Sequence, residues 1–514
     1  MKYSKQHLSL CLCAALLALT LSGCGNAPQS AADSAGTSET AASESAVSAV
    51  QTVQEPAAQT AEIRLTGSSA EITGSGASAS GGVVTIAAGG TYAVTGTLDD
   101  GYILVNAPGE DVTLLLRGAQ ITCSSGSAIY VYKSAQTTLW LPEGTESTLT
   151  DGSAYSFSGE YASAADEEPD ACVYSKSDLI VAGGGSLHVN ANYKNGLTSK
   201  DTLLLDAVQL TVTAENHGIC GKDSLTVQNA AVTVTSGGDA MRSTNDKDET
   251  LGWVQVTDSE LTLHSGEDGI QAETVLTVSG GSCTVVSGGG SGAQLSDDTS
   301  AKGLKAGSAL NLLSGSFTLD CADDALHSNG DVTVSGGSLV LSTGDDGIHA
   351  DETTSITGGS ITIEKSYEGI EGKVVDISGG VITLTASDDG INAADGSSSG
   401  GFGGPFAGGS SDCVIRISGG EIHVNASGDG LDSNGDLTVS GGAVYISGPT
   451  GDGDGALDYD GTAAITGGLV IAAGSSGMAQ NFGSDSTQGS ILLSFAARSS
   501  DPIELRGSDG SLLA

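Results

Sequence analysis

The chain has 514 residues, 77 of them glycine, and its aromatic content of only 4% excludes a domain built around a large aromatic core. A formal net charge of −44 and an isoelectric point near 4.1 exclude nucleic acid and anionic membrane surfaces as partners and favour cations. Apolar residues make up 38% of the chain and recur periodically, so the excess of acid does not indicate disorder.

Residues 1–23 have the pattern of a bacterial lipoprotein signal peptide. Lys2 and Lys5 form a positive start, an apolar stretch follows, and the sequence Leu-Ser-Gly-Cys ends at Cys24. We predict that Cys24 is lipidated and anchors the mature protein at the bacterial cell surface, on the outer side of the cytoplasmic membrane. The alternative is an ordinary secretory signal or a short membrane helix that happens to contain a cysteine.

Residues 24–60 are rich in Ala, Ser and Thr and lack periodicity, which predicts a flexible spacer. Beyond them, short β-branched runs alternate with Gly, Asn and Asp turns, as is typical of β-strands. We assign residues 61–514 to one β domain, with insertions expected at 143–170, 243–252 and 287–300 and a glycine-rich loop at 394–412. Six cysteines follow Cys24; we expect buried thiols, although export leaves disulfides open.

A phrase close to Asp-Asp-Gly-Ile recurs about every 22 residues and predicts a solenoid. Its apolar residue, taken as an anchor, gives the series Ile129, Cys172, Leu197, Ile219, Met241, Ile270, Leu304, Leu326, Ile348, Ile370, Ile391, Leu431, Leu457 and Met478. Three short strands per repeat, without helical periodicity, favour a parallel β-helix, an all-β fold. Tandem sandwiches need units of roughly 100 residues, and the Asn ladder of leucine-rich repeats is absent.

Acidic residues accompany most anchors, two or three positions before or one position after. Equivalent positions of a β-helix stack about 4.8 Å apart, where carboxylates repel unless cations lie between them. Because oxygen ligands favour a hard cation that tolerates irregular geometry, we predict calcium as the cofactor. The predicted ligands are Asp239, Glu267, Asp268, Asp323, Asp324, Asp345, Asp346, Glu368, Asp388, Asp389, Asp429, Asp432, Asp454 and Asp458.

The alternative interpretation of these acids is turn chemistry, in which Asp caps its own backbone and Gly adopts a positive φ. That accounts for single Asp-Gly turns but not for the paired acids. His327 and His349, one repeat apart, also suggest a transition metal, but we expect two stacked, solvent-facing histidines.

The signal, the spacer, the Asp-Asp-Gly-Ile repeats alternating with Leu-Thr-Val-Ser-Gly-Gly strands, and the Gly-Phe-Gly-Gly insertion together resemble one family. It is the family of clostridial carbohydrate-binding β-helix proteins, whose founding member binds cellulose and related polysaccharides. The resemblance covers roughly residues 60–510 and is most specific from Asp239 to Asp460. It implies a right-handed parallel β-helix similar to pectate lyases, bound calcium, surface display and glycan binding without established catalysis.

We therefore expect a non-catalytic protein that binds cellulose or pectin-like glycans, with a lyase-like enzyme or a structural adhesin or stalk as alternatives. A lyase needs a basic residue beside the acids, and the scattered Arg242, Lys302, Lys305 and Lys373 are not expected to cluster with them. Aromatic residues stack on sugars, so we predict a glycan surface at Tyr130, Tyr132, Tyr174 and Tyr193, with an N-terminal cap as the alternative. The sequence does not indicate an oligomeric state.

Overall fold

The computed structural model describes residues 53–56, 58–157, 161–163, 165, 167–296, 299–395, 412–495, 504 and 506–512. They belong to one compact unit, Gln51–Ala514. The predicted signal peptide, Cys24, nearly all of the spacer and residues 396–411 of the glycine-rich loop lie outside the described residues. Within the described ranges, no helix is long and apolar enough to cross a membrane.

The described chain consists of short β-strands joined by turns. The first are β1 (Ala61–Gly67), β2 (Ala70–Gly74), β3 (Ala77–Ser80), β4 (Val83–Ile86), β5 (Gly90–Leu98), β6 (Tyr102–Asn106), β7 (Asp111–Leu116), β8 (Gln120–Thr122), β9 (Ile129–Lys133), β10 (Gln136–Trp140), β11 (Glu146–Thr150), β12 (Ala171–Ser175), β13 (Asp178–Ala182) and β14 (Ser186–Ala191). The next are β15 (Asn195–Ser199), β16 (Thr202–Asp206), β17 (Gln209–Ala214), β18 (Ile219–Gly221), β19 (Ser224–Gln228), β20 (Ala231–Ser236), β21 (Met241–Arg242), β22 (Trp253–Thr257), β23 (Glu260–Ser265), β24 (Ile270–Ala272), β25 (Val275–Ser287), β26 (Leu304–Ala306), β27 (Ala309–Cys321) and β28 (Leu326–Ser328). The last are β29 (Asp331–Val334), β30 (Ser338–Thr343), β31 (Ile348–Ile356), β32 (Ser360–Ser366), β33 (Ile370–Ile377), β34 (Val381–Ala386), β35 (Ile391–Ala393), β36 (Val414–Ile417), β37 (Glu421–Ala426), β38 (Leu431–Ser433), β39 (Asp436–Val439), β40 (Ala443–Ser447), β41 (Leu457–Tyr459), β42 (Ala463–Ile465) and β43 (Leu469–Ala473).

Strands one repeat apart pair in parallel, which gives the protein a solenoid-like architecture. From β9 to β22 each strand pairs in parallel with the third strand that follows it, so three columns of parallel strands run along the chain. Beyond that point, long strands such as β25 belong to two columns. In the first column Leu304 pairs with Leu326, Leu326 with Ile348, and Ile348 with Ile370. Each of these partners lies 22 residues further along the chain, as the repeat predicts. At the start of the described chain, β1–β2 and β3–β4 are instead antiparallel pairs.

Stacked apolar side chains form one continuous core along these columns. The anchors from Leu197 to Leu457 are buried and aligned, but two predicted anchors are wrong. Val173, rather than Cys172, pairs with both Ile129 and Leu197. Met478 is 50% exposed and lies outside the strands, so the aligned series ends one repeat earlier than predicted.

Two further expectations concern the first insertion and the cysteines. The insertion predicted at 143–170 begins later, because β11 pairs with β8 and β14 and so belongs to the solenoid. The six described cysteines are buried and none forms a disulfide, which confirms the prediction of buried thiols.

The glycine of the repeated Asp-Gly phrase is required by close packing rather than by its φ angle. A Cβ at Gly347 would lie 2.5 Å from the carbonyl oxygen of Gly369 in the next repeat. Positive φ angles occur instead at the second glycine of the Ser-Gly-Gly turns, such as Gly337 and Gly359, both at 96°. The positive φ that the alternative interpretation expected at the Asp-Gly turn is therefore found at the Ser-Gly-Gly turn instead.

Replacing Ile370 with Ala should destabilise the protein by about 2–5 kcal/mol, because it leaves a cavity in a core that cannot fully collapse. Ile370 is fully buried and pairs with Ile348 and Ile391 on either side. Chemical denaturation measures this change. Val381→Ala, at a position that is 49% exposed, should change stability by no more than about 0.5 kcal/mol. Equal effects of the two substitutions would contradict the stacked core.

Candidate metal centre

Side chains from equivalent positions of successive repeats form two columns beside the anchors. The turn column contains the residues two positions before the anchors from Met241 to Leu431: Asp239, Asp268, Lys302, Asp324, Asp346, Glu368, Asp389 and Asp429. The strand column contains the residues one position after the anchors from Met241 to Leu457, aligned by the strand pairing: Arg242, Gln271, Lys305, His327, His349, Glu371, Asn392, Asp432 and Asp458. Because paired strands lie about 4.8 Å apart, charges within a column interact directly.

One carboxylate oxygen of each aspartate in the turn column accepts a hydrogen bond from the backbone of the next repeat. The N–H of Asp268 donates to Oδ1 of Asp239 at 3.0 Å, and the N–H of Asp346 donates to Oδ1 of Asp324 at 3.0 Å. The N–H of Glu368 in turn donates to Oδ1 of Asp346 at 3.1 Å. These acids cap the following repeat rather than their own turn, and each aspartate keeps its second oxygen for other partners.

Basic side chains occupy the middle of the acidic columns. Nζ of Lys302 lies 2.7 Å from Oδ1 of Asp323 and 2.7 Å from Oδ2 of Asp324. Nζ of Lys305 lies 3.2 Å from Oδ2 of Asp268. The Lys302 ammonium therefore contacts two of the predicted calcium ligands, Asp323 and Asp324. Although burial acts in the opposite direction, the hydrogen bond from His327 and the charge of Lys302 hold the pKa of the Asp324 carboxyl well below its usual range.

The prediction that the basic residues would not cluster with the acids is wrong for Arg242, Lys302 and Lys305, whereas Lys373 forms no ion pair with the described acids. Nη1 of Arg242 lies 3.2 Å from Oδ2 of Asp239 in the same repeat, whereas the two lysines pair with aspartates of neighbouring repeats. The sequence contains a signal for these ion pairs, because the basic residues occupy the same positions relative to the anchors as the acids do. Lys302 is two positions before Leu304, and Arg242 is one position after Met241.

The two histidines of the strand column face carboxylates, so the prediction that they face solvent is also wrong. Their side chains are only 12% and 25% exposed. Nδ1 of His327 lies 2.8 Å from Oδ2 of Asp324, and Nδ1 of His349 lies 3.1 Å from Oδ2 of Asp346. Burial lowers the pKa of His349, but the hydrogen bond to Asp346 and the charge of Glu371 outweigh it and raise that pKa to about 9.

Beyond the histidines both columns become acidic. One oxygen each of Asp389, Asp429 and Asp432, which we name the acidic cluster, lie within 4.8 Å of one another. Burial and neighbouring carboxylates raise the pKa of Asp432 to about 8, of Asp389 to about 7 and of Asp429 to about 6. Among the described residues, no lysine, arginine or histidine lies within ion-pair distance of these three carboxylates. The cluster therefore concentrates negative charge without a counter-cation.

The donor atoms around the acidic cluster suit a hard divalent cation. Asn392 lies between Glu371 and Asp432 in the strand column, and its side-chain oxygen is buried without a hydrogen-bond partner. A buried oxygen without a partner and three carboxylates that repel one another form an oxygen-only donor set, which is the set that calcium prefers. We name the turn column and the strand column together the ladder. The residues at its C-terminal end therefore fit the predicted calcium ion.

The other predicted ligands surround the acidic cluster or belong to other repeats. These are Asp239, Glu267, Asp268, Asp323, Asp324, Asp345, Asp346, Glu368, Asp388, Asp454 and Asp458. The charges of Asp388, Asp454 and Asp458 contribute to the raised pKa of Asp429. Glu368 instead accepts a hydrogen bond from the Asn392 amide at 2.9 Å, and its own pKa is raised to about 8, first by burial and then by Glu371.

Without calcium, the protein should become less stable as the pH rises from about 5 to 8. The acidic cluster binds protons more tightly in the folded state than in the unfolded chain, so folding takes up protons and deprotonation opposes it. The loss begins above the unfolded pKa of about 4 and is complete above the highest folded pKa. Thermal melts in chelator at several pH values measure it. Saturating calcium should remove the decline, and a melting temperature that rises with pH in chelator would contradict this account.

Three of the predicted glycan residues, Tyr130, Tyr132 and Tyr174, are packed together near the start of the solenoid, whereas the Tyr193 ring stacks on Tyr155 at 4.4 Å. The rings of Tyr130 and Tyr132 lie 6.0 Å apart, and those of Tyr130 and Tyr174 lie 5.6 Å apart. Tyr130 is 4% exposed and Tyr174 is fully buried, while Tyr132 and Tyr193 remain partly exposed. A buried ring offers no face to a sugar. Of the four predicted tyrosines, only Tyr132 and Tyr193 therefore have rings that are accessible from solvent.

The fold and site together define an all-β protein of stacked parallel strands that carries a ladder of carboxylates. A family model described as carbohydrate-binding domain-containing protein matches residues 80–347 and 345–490, and the chain belongs to this family. A protein of the same description from Acetivibrio thermocellus is 35% identical over 126 residues, which are 24% of this chain and 43% of that protein. The match thus spans less than half of that relative. A solved structure of the polysaccharide lyase-like protein from C. thermocellum, a gadolinium derivative, is 27% identical with a TM-score of 0.43, covering 49% of this chain and 96% of that one.

Proposed function

We propose that this chain is a non-catalytic, calcium-dependent polysaccharide-binding protein held at the bacterial cell surface by a lipid on Cys24. Its body is a right-handed parallel β-helix with repeats of about 22 residues. The observation that carries the proposal is the acidic cluster, three carboxylates without a counter-cation, in a member of a carbohydrate-binding family. Cellulose and pectin-like glycans are the first candidates for the polysaccharide.

Calcium would be held by Asp389, Asp429 and Asp432, with the side-chain oxygen of Asn392 as a further donor. The ion would supply positive charge between repeats and coordination positions for sugar hydroxyl or carboxylate oxygens. The protein contributes rigidity, because Oδ1 of Asp389 accepts a hydrogen bond from the backbone N–H of Asp429 at 2.6 Å. That bond fixes one carboxylate in place without consuming its second oxygen.

The sugar-stacking surface would be centred on Tyr132, and Tyr193 is a second, separate candidate. Nζ of Lys133 and of Lys176 lie 5.1 and 5.8 Å from the centre of the Tyr132 ring, and Nζ of Lys194 lies 5.4 Å from that of Tyr193. Aromatic rings flanked by ammonium groups provide stacking together with hydrogen-bond donors for hydroxyl or carboxylate oxygens of a glycan. The buried Tyr130 would support this surface rather than contact sugar.

Binding is favoured over lyase chemistry by the state of the basic residues beside the acids. A base that removes a proton from a uronate must be free and near neutral in its pKa. Lys302 is held by two carboxylates, which raise its pKa well above its usual range although burial opposes them. Arg242 and Lys305 are likewise ion-paired. Bound in this way, none of the three suits the role of a catalytic base.

Pull-down on insoluble cellulose and on calcium-crosslinked pectate, with and without chelator, tests the proposal. We expect retention on at least one glycan, reduced by Tyr132→Ala and by chelator, and no ultraviolet-absorbing unsaturated product. Lys133→Met, which leaves the ring in place, serves as the matched comparison for the aromatic contribution. Retention on neither glycan would overturn the binding function, and unsaturated products would establish a lyase instead.

A further inference from the structure

The ladder contains a second cluster with a different donor set, one repeat before the acidic residues that would hold calcium. It consists of Asp346, His349 and Glu371, whose potential ligand atoms lie within 4.8 Å of one another. Nδ1 of His349 lies 3.1 Å from Oδ2 of Asp346 and 3.3 Å from Oε2 of Glu371. Ligands at about 2.0 Å from a tetrahedral ion are about 3.3 Å apart, so these spacings match those around a bound zinc ion.

The outer ring nitrogens of both ladder histidines lie near side-chain oxygens, while Nδ1 faces the carboxylates. Nε2 of His327 is hydrogen-bonded to Oδ1 of Asn329 at 2.9 Å, and Nε2 of His349 lies 3.4 Å from Oδ1 of Asp351, within ion-pair distance. Metal-binding histidines generally have an oxygen beside their second ring nitrogen, which orients the ring and selects its tautomer. The backbone supplies the same support to Asp346, since its Oδ1 accepts the N–H of the following repeat.

Burial and access are also suited to an ion. The side chains of Asp346, Glu371 and His349 are 8%, 16% and 25% exposed, so the cluster is largely enclosed yet open on one side. His327 and Asp324 lie next to it, and Nδ1 of His327 belongs to a set with Asp324 and His349 within 4.8 Å. Lys302 already neutralises Asp324, whereas no lysine or arginine of the described chain is ion-paired with Asp346 or Glu371.

We propose that Asp346, His349 and Glu371 bind a first-row divalent transition-metal ion, represented by Zn²⁺, at a site separate from the acidic cluster. An imidazole nitrogen with two carboxylates is a borderline donor set that zinc and its neighbours accept, whereas calcium takes oxygen ligands. Three protein ligands leave a fourth position for water, His327 or an oxygen of a bound ligand. The residue type in the strand column would thus determine which cation binds. His349 would favour a transition metal, and Asn392 and Asp432 would favour calcium.

Isothermal titration of the chelator-stripped full-length protein with Zn²⁺, in excess Ca²⁺, tests this site. We expect about one Zn²⁺ bound per chain, loss of that ion in His349→Ala, and no change in His423→Ala. His423 is an exposed histidine that contacts only Glu421 among carboxylates. Asp351→Asn, which alters only the outer partner of His349, should weaken binding by about 10–100-fold.

Two results would overturn the proposal. One is Zn²⁺ binding that His349→Ala leaves unchanged, and the other is Zn²⁺ that Ca²⁺ displaces completely, which would place the ion in the acidic cluster. Glu371→Gln keeps the shape of the side chain and therefore controls for a variant that fails to fold. Its melting temperature in chelator should not fall below that of the wild type, while its affinity for Zn²⁺ should be lost. Failure of calcium or glycan binding leaves this test unaffected, because the two clusters share no residue.

Discussion

Replacing Asp432 with Asn is expected to raise the stability of the protein in chelator and to lower it in saturating calcium. In chelator the wild type must either protonate the buried Asp432 carboxyl or keep it charged against burial and the repulsion of Asp389, Asp429 and Asp458. Asn removes this cost, so the stabilisation should be largest above pH 8, where the carboxyl is ionised. In calcium it removes a ligand, so the protein loses the stabilisation that a bound ion provides, about 2.7 kcal/mol at a hundredfold excess over the dissociation constant. Opposite signs in the two conditions distinguish a ligand from a structural residue.

Thermal melts of wild type and variant, in chelator and in saturating calcium, measure the two opposite changes in stability. Calcium titration measures the affinity directly. Asp485→Asn is the matched control, because Asp485 is exposed and lies outside the strands. It should shift neither melt. A destabilisation of Asp432→Asn in chelator would show that the Asp432 carboxylate makes a favourable contact within the protein, and the calcium proposal would lose its main support.

Replacing Lys302 with Met is expected to destabilise the calcium-free protein by about 3–5 kcal/mol, since removing one partner of a buried ion pair leaves an uncompensated charge. The side chains of Lys302, Asp323 and Asp324 are 13%, 15% and 3% exposed. Calcium should then restore part of the stability, because the variant has at Asp323 and Asp324 the same excess of carboxylate that the acidic cluster has in the wild type.

Chemical denaturation with and without calcium tests this expectation, together with the number of calcium ions bound after dialysis. The number should rise by about one in Lys302→Met. Lys247→Met, at an exposed position, should change neither quantity. An unchanged stability in Lys302→Met would mean that the lysine is not the internal cation of the ladder.

The sequence predicted the ladder because the period of a solenoid transfers directly into space. Once Leu326, Ile348 and Ile370 are recognised as equivalent, their pairing in one column follows, and so does the stacking of neighbouring acids. The buried state of the cysteines followed for the same reason. The family, recognised from the repeats and the strand phrase, is confirmed by the match to residues 80–347 and 345–490.

The errors arose where chemistry depends on neighbours in the next repeat. Counting acids alone treated Asp324 and Asp389 as equivalent, but Lys302 reaches the first and no described cation reaches the second. The phrase Asp-Ala-Cys places an acid, Asp170, two positions before Cys172 and so predicts Cys172 as the anchor. In the structure Val173 pairs with Ile129 and Leu197 instead, a register shift of one residue.

The sequence by itself determined the repeat, the all-β class, the family and the surplus of negative charge, because these depend on residue type and spacing along the chain. Only the tertiary structure decided which charges neutralise one another. The energy of a carboxylate depends on burial and on the groups within a few ångströms of it, and the strand register supplies those groups from other repeats. For this reason the same aspartate is an ion-pair partner beside Lys302 and a candidate metal ligand beside Asp432.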